Sequence, residues 1–196
     1  MARFVIRGGK KIGGIFKPLG NKNVVLPMLA ACVLTDEPLA LENVPNILDV
    51  ENMLRLLADL GVAVSRRGHA VELCARGLKK TALDRALCTK VRGSILMAGP
   101  LPARRGSATL FAPGGDVIGR RRLDTHFEGL DQLGIGLAWK GDEFRLRRRK
   151  FRGAEILLDE ASVTATENIL MAATLAPGRT VITNAACEPH VQDLGV

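Results

Sequence analysis

A short pattern that ends a helix, Leu57-Ala-Asp-Leu-Gly61, returns as Leu130-Asp-Gln-Leu-Gly134, and Met28-Leu-Ala-Ala31 is echoed by Met171-Ala-Ala-Thr174. The echoes set a period of about 70 residues, longer than common solenoid repeats and the size of a small βαβαββ unit. A unit of that kind leaves apolar faces that only its neighbours cover. The chain is therefore constrained to an α/β fold of stacked copies.

The pattern along the chain fills in the copies. Phe4 to Arg7 and Lys11 to Lys17 read as two short strands around Gly8-Gly9, with Phe4, Ile6, Ile12 and Phe16 as their apolar positions. Asn21 to Thr35 is too continuously apolar for a surface helix and reads as a buried one, with Pro27 in its first turn. A strand at Leu39 to Glu42, a helix from Asp49 to Leu60 stopped by Gly61, and strands at Val62 to Ser65 and His69 to Cys74 complete the first copy. The second copy has an apolar helix at Val91 to Leu101, a strand at Ala108 to Phe111, a helix at Asp124 to Leu133, and strands near Leu137 and at Phe144 to Leu146. A third opens at Ser162, with a helix at Ala165 to Ala176, a strand at Thr180 to Asn184 and a turn at Glu188-Pro189. It stops at Val196 before a second helix, so an incomplete third unit is expected.

Aromatic residues are 4% of the chain and Tyr is absent, so the core has to be built from aliphatic side chains, which suits helices packed on sheets. The net charge of +8 calls for an anionic partner: nucleic acid, an acidic membrane surface or a phosphorylated metabolite. Cys32, Cys74, Cys88 and Cys187 contain no CxxC pair, and His69 and His190 have no metal-ligand spacing, so no metal site is expected. No stretch reaches the roughly 18 apolar residues of a membrane span, and the first residues lack a signal-peptide core. A reduced, cytoplasmic location without membrane attachment is the expectation.

Chemistry concentrates between Pro113 and His126. Gly114 and Gly115 give a loop carrying Asp116, and Arg120, Arg121 and Arg122 follow as the strongest local anion attractor. An acid beside clustered guanidinium groups suits proton delivery to an anionic substrate; a solvated basic turn is the alternative. His126, beside Asp124, reads as a hydrogen-bonded structural or ligand-orienting residue rather than a base. The run Arg145 to Arg152, between Phe144 and Phe151, fits either a nucleic-acid track or a basic strand edge that discourages pairing. No recognised nucleic-acid motif accompanies it, and nucleic acid is the weaker expectation.

Asn21-Lys22-Asn23, Val91-Arg92-Gly93-Ser94-Ile95, the Pro-Gly-Gly loop at 113–119, Arg121 with Asp124 and His126, and the run Ser162 to Asn168 together resemble the UDP-N-acetylglucosamine enolpyruvyl transferases, in order and over essentially the whole chain. The shikimate-pathway enolpyruvyl transferases, which typically carry Ser-Lys-Ser at residues 21–23 and lack the Pro-Gly-Gly loop, are the weaker match. The resemblance implies an inside-out α/β barrel of βαβαββ units. It also implies that residues 1–19 open a second domain and that 20–196 form the first, cut short in its third repeat, with association possible through the unfinished part.

It further implies addition of a sugar 3-hydroxyl to phosphoenolpyruvate and loss of phosphate, without a cofactor. By this resemblance Lys22, Asn23 and Arg121 hold phosphoenolpyruvate, with Lys22 also catalytic. Arg92, Arg121, Leu123, Asp124, Thr125, Ser162 and Val163 hold UDP-N-acetylglucosamine, and Asp116 delivers the proton. Three positions depart from the family pattern: Asp116 where most members have Cys, Arg122 in place of Pro, and Glu160 in place of a frequent Lys. The acceptor for the sugar-hydroxyl proton belongs to the family's second half, so this chain is expected to be catalytically silent alone.

Overall fold

Helices buried on every side run through the middle of the structure, a computed structural model that describes residues 3–114 and 122–196. The first, α1 (Lys22–Ala31), buries Val25, Leu26, Pro27, Leu29 and Ala30 and tightens into a 3₁₀ turn at Cys32–Leu34. Asn21 starts it from an extended conformation, its side chain accepting the Asn23 N–H at 2.8 Å. β1 (Leu39–Leu41), α2 (Leu48–Leu60), β2 (Ala63–Arg67) and β3 (Ala70–Cys74) complete the first unit, with an antiparallel sheet ordered β1-β3-β2 that packs on α2 and on the 3₁₀ turn while α1 packs on α2.

A short helix α3 (Arg85–Cys88) leads into the second unit. There the expected helix at Val91 to Leu101 is broken, a 3₁₀ segment at Arg92–Met97 being followed by α4 (Pro100–Arg105). Pro100 explains the break, since it offers no N–H to the turn before it and stands at the first position of α4, where none is needed. β4 (Ser107–Phe111), α5 (Asp124–Gln132), β5 (Ile135–Lys140) and β6 (Glu143–Arg148) follow, with sheet order β4-β6-β5. Ala108, Leu110, Phe144 and Leu146 turn inward while Arg145 and Arg147 turn to solvent, the alternation of a half-covered sheet. The third unit holds β7 (Glu155–Leu157), α6 (Val163–Ala173), β8 (Val181–Thr183) and α7 (Pro189–Gly195), with β7 and β8 parallel. The turn expected at Glu188-Pro189 instead opens α7, with Pro189 in its first turn.

The helix-stopping echo marks equivalent structure. Gly61 and Gly134 follow α2 and α5 at φ 102° and 87°, values open to glycine, and each sits too close to a facing backbone carbonyl, of Gly77 and Lys150, to carry a side chain. The parallel strand that opens a unit is complete in β7, and in the second unit it shrinks to one bridge, Ala82 to Thr109.

The strands expected at residues 4–7 and 11–17 are absent. Phe4 is 94% exposed and Phe16 86%, and no sheet among the described residues includes this segment. A two-stranded hairpin is marginal in water unless a further element covers its apolar face, and none of the described elements does.

Candidate active site

A cavity of about 930 Å³ opens where helices begin. Lys22 and Asn23 come from the start of α1, Asp49 from α2, Arg92 and Gly93 from the 3₁₀ segment, and Ser162, Val163 and Thr164 from α6. Unpaired N–H groups and the positive end of the helix dipole make such starts attractive to anions. Ser162 caps α6 by accepting the Ala165 N–H at 3.4 Å. Pro27, the sixth residue of α1 and not in its first turn as expected, has no N–H to return to the Asn23 carbonyl, and both residues line the cavity. Lys22 is held by Asp49, Nζ to Oδ2 at 2.9 Å, with both side chains partly exposed.

Beside the cavity Arg122 joins the second unit to the third. Its guanidinium donates to both carboxylate oxygens of Asp124, at 2.9 and 2.7 Å, and to Asp159 at 2.5 Å, while the Thr125 hydroxyl donates to Asp159 at 2.8 Å. The Arg122 hydrogen bond holds the Asp124 carboxyl below its ordinary range, and Thr125 followed by Arg122 does the same for Asp159. Arg122 itself lines the cavity. Asp124 and Thr125 stand behind it, and Leu123 packs against the core.

Two buried titratable groups border this site. The His126 imidazole lies 2.8 Å from the Thr164 hydroxyl through Nε2, while its buried Nδ1 has no hydrogen-bond partner among the described residues; burial first, and then the Arg92 charge, pushes its pKa down to about 4. Glu167 lines the cavity at 2% exposure, its Oε1 unpartnered among the described residues, and burial followed by the Glu188 charge pushes it up to about 8. At neutral pH the imidazole is neutral and the carboxyl largely protonated.

Of the residues expected at a site, Lys22, Asn23, Arg92, Ser162 and Val163 meet in the one cavity, and Asp124 and Thr125 meet around Arg122. Asp116 and Arg121 lie outside the described residues. Gly114, the last described residue before them, donates its N–H to the Cys88 carbonyl at 3.0 Å, and its Cα has the Thr89 carbonyl where a Cβ would be. Sequence reasoning missed Asp49, Lys90, Asp159 and Glu167; only the last carried a signal, an acid inside the apolar stretch of α6. Phe144, a possible base-stacking residue, is buried against Phe127 and Trp139, and Arg148 donates to the Ala103 carbonyl at 2.8 Å. Among the described residues no group of His, Cys, Asp or Glu could hold a metal ion, and no helix is long and apolar enough to cross a membrane.

The fold is that of the enolpyruvyl transferases. The enolpyruvyl transferase NikO from Streptomyces tendae superimposes with a TM-score of 0.81 at 19% identity, over 95% of this chain and 44% of that one. EPSP synthase from Acinetobacter baumannii gives 0.73 at 19%, over 91% and 42%. Residues 6–195 match the profile of the EPSP synthase (3-phosphoshikimate 1-carboxyvinyltransferase) family, and the chain belongs to that family. Within it the similarity points one way. UDP-N-acetylglucosamine 1-carboxyvinyltransferase of Borreliella burgdorferi is 52% identical over 99% of this chain and 45% of its own length, and that of Treponema pallidum 52% over 99% and 46%. The chain spans about half the length of the curated relatives it matches.

Proposed function

We propose that this chain forms one face of the active site of a transferase that moves the enolpyruvyl group of phosphoenolpyruvate to the 3-hydroxyl of UDP-N-acetylglucosamine, the committed entry to peptidoglycan synthesis. The observation that carries the reading is the meeting of Lys22, Asn23, Arg92, Ser162 and Val163, from three repeat units, in one cavity. The sugar hydroxyl gives up its proton to a base outside this chain as its oxygen bonds to C2 of phosphoenolpyruvate and C3 gains a proton; C3 then gives up a proton as the C2–O bond to phosphate breaks and phosphate leaves. Lys22 and Asn23, with Arg121 from the loop, hold the phosphate-bearing substrate. Arg92, Arg121, Leu123, Asp124, Thr125, Ser162 and Val163 hold the nucleotide sugar. Asp116 is the proton donor, its acidity lowered by the bound anion against the pull of neighbouring arginines.

The identity of about 50% to UDP-N-acetylglucosamine transferases, against 19% to the solved EPSP synthase, favours the nucleotide sugar over a shikimate substrate. Phosphorylated intracellular substrates accord with a cytoplasmic site of action. Residues 1–19 are assigned to a second domain, which accords with the exposure of Phe4, Ile6, Ile12 and Phe16. Because the match covers less than half of each relative, this chain is assigned binding, and turnover is assigned to a polypeptide carrying the remaining length.

Calorimetric titration tests the reading. The chain should bind UDP-N-acetylglucosamine and not shikimate 3-phosphate, and Arg92→Ala should weaken binding about tenfold, as expected for a lost charged hydrogen bond. Binding of neither ligand, or of shikimate 3-phosphate alone, refutes it.

A further inference from the structure

Of the three buried polar side chains that α6 itself carries, Thr166, Glu167 and Asn168, two are fully engaged and one is not. The Asn168 amide donates to the Ile95 and Thr164 carbonyls at 3.1 and 2.9 Å and accepts the Gly99 N–H at 2.7 Å. Thr166 donates to the Ser162 carbonyl at 2.8 Å and accepts the Ala186 N–H at 3.0 Å. Glu167 lies between these two, lines the cavity, and leaves Oε1 with no hydrogen-bond partner among the described residues. A buried carboxyl oxygen without a partner costs stability, so an unmet Glu167 is unfavourable unless a ligand completes it.

Resting on the function proposed above, we infer that Glu167 is a specificity-determining contact that takes a neutral donor–acceptor group of the hexose, a hydroxyl or the acetamido group, and not a phosphate.

Three observations select that chemistry. Lys90, Arg92 and Arg122, the cavity's cations from the second unit, suit the anionic portion of a nucleotide sugar, whereas the third unit contributes Glu160, Glu167 and Glu188. A phosphate at Glu167 would meet the Glu188 charge, which already disfavours ionisation of Glu167. A protonated carboxyl has one donor and spare acceptor capacity, and a hydroxyl or a secondary amide answers both at once, whereas a phosphate chiefly accepts.

The test measures binding of UDP-N-acetylglucosamine, UDP-glucose and UDP to the chain and to its Glu167→Leu and Glu167→Gln variants, with melting followed in parallel. Glu167→Leu should weaken UDP-N-acetylglucosamine about tenfold, the size of one lost hydrogen bond, and leave UDP unchanged. Glu167→Gln, which keeps a donor and an acceptor, should stay close to wild type. Loss with UDP-glucose as well assigns the contact to a hydroxyl, and loss with UDP-N-acetylglucosamine alone assigns it to the acetamido group. Melting of the Leu variant should rise, because an unpartnered buried carboxyl is removed; a purely structural Glu167 would lower it. Equal affinity of wild type and Leu variant for every ligand, or equal weakening of UDP and the sugar nucleotides, overturns the inference and leaves the proposed function standing. A wild-type chain that binds no ligand refutes both.

Discussion

Glu167 and His126 should give this chain a stability profile that is flat in mild acid and falls above neutrality, because the two groups pull in opposite directions. Glu167 is pushed up to about 8 from 4.5, so between those values the folded state holds a proton that the unfolded state has released, and stability is lost as pH rises through the window. His126 is pushed down to about 4 from 6.5, so there the unfolded state holds the extra proton, and stability is lost as pH falls. Each slope has a limit of about 1.4 kcal/mol per pH unit. From pH 4.5 to 6.5 they cancel. From 6.5 to 8 only Glu167 still titrates, costing about 2 kcal/mol, or roughly 4–8 °C of melting temperature for a chain of this size. The perturbation is Glu167→Gln, which keeps the shape and removes the proton, and the assay is thermal melting by circular dichroism at pH 5, 6.5 and 8. The wild type should melt alike at 5 and 6.5 and lower at 8; the Gln variant should rise from 5 to 6.5 and then hold. His126→Gln should do the reverse, falling across the whole range. A Gln variant with an undiminished fall between 6.5 and 8 would refute the assignment of that slope to Glu167.

Asn168→Ala should cost about 3 kcal/mol, because it strips hydrogen bonds from the Gly99 N–H and from two carbonyls inside the core, and urea unfolding would measure it. Asp49→Asn should leave stability within about 1 kcal/mol, the pair with Lys22 being partly exposed, yet tighten phosphoenolpyruvate binding severalfold by freeing the lysine charge; unchanged affinity in calorimetry would speak against Lys22 as an anion contact. In a turnover-competent polypeptide, Asp116→Asn should lower phosphate release by roughly 10²–10⁴-fold, the usual worth of general acid catalysis. There Asp116→Cys should keep activity and acquire a fosfomycin adduct visible by mass, since alkylation needs a thiolate and a carboxylate is a poor substitute.

Elements whose cause is local were legible in the sequence. Gly61 and Gly134 end α2 and α5 because only glycine readily takes the left-handed turn in so close a space, and the leucines ahead of them recur at helical spacing. Asn21 and Ser162, read only as the openings of an apolar run and of the third copy, prove to be the caps of α1 and α6, and α6 begins two residues earlier than its apolar pattern indicated. The errors arose where another signal or a distant partner decides. Apolar spacing from Val91 to Leu101 masked Pro100, and the alternation of Phe4, Ile6, Ile12 and Phe16 encodes a strand face that none of the described elements covers. Pairing across units hid Asp159, whose part depends on Arg122 and Thr125 some 35 residues away in sequence and 2.5–2.8 Å away in space.

The repeat links the fold to the site more closely than any single motif does. Lys22, Arg92 and Ser162 come from three successive units and stand about 70 residues apart, the period set by the helix-stopping echoes. Each lies at or beside the start of its unit's inner helical segment, and all three line the cavity. Stacking equivalent units with their inner helices side by side brings those helix starts to the same end of the stack, so their N–H groups and dipoles add at one place. An anion-attracting cavity is thus a consequence of the repeat before any catalytic side chain is considered. Side chains at that end then differentiate it: the first two units bring Lys22, Lys90, Arg92 and Arg122, the end that the proposed function gives to phosphates, and the third brings Glu160, Glu167 and Glu188, the end that the inference above gives to the neutral sugar.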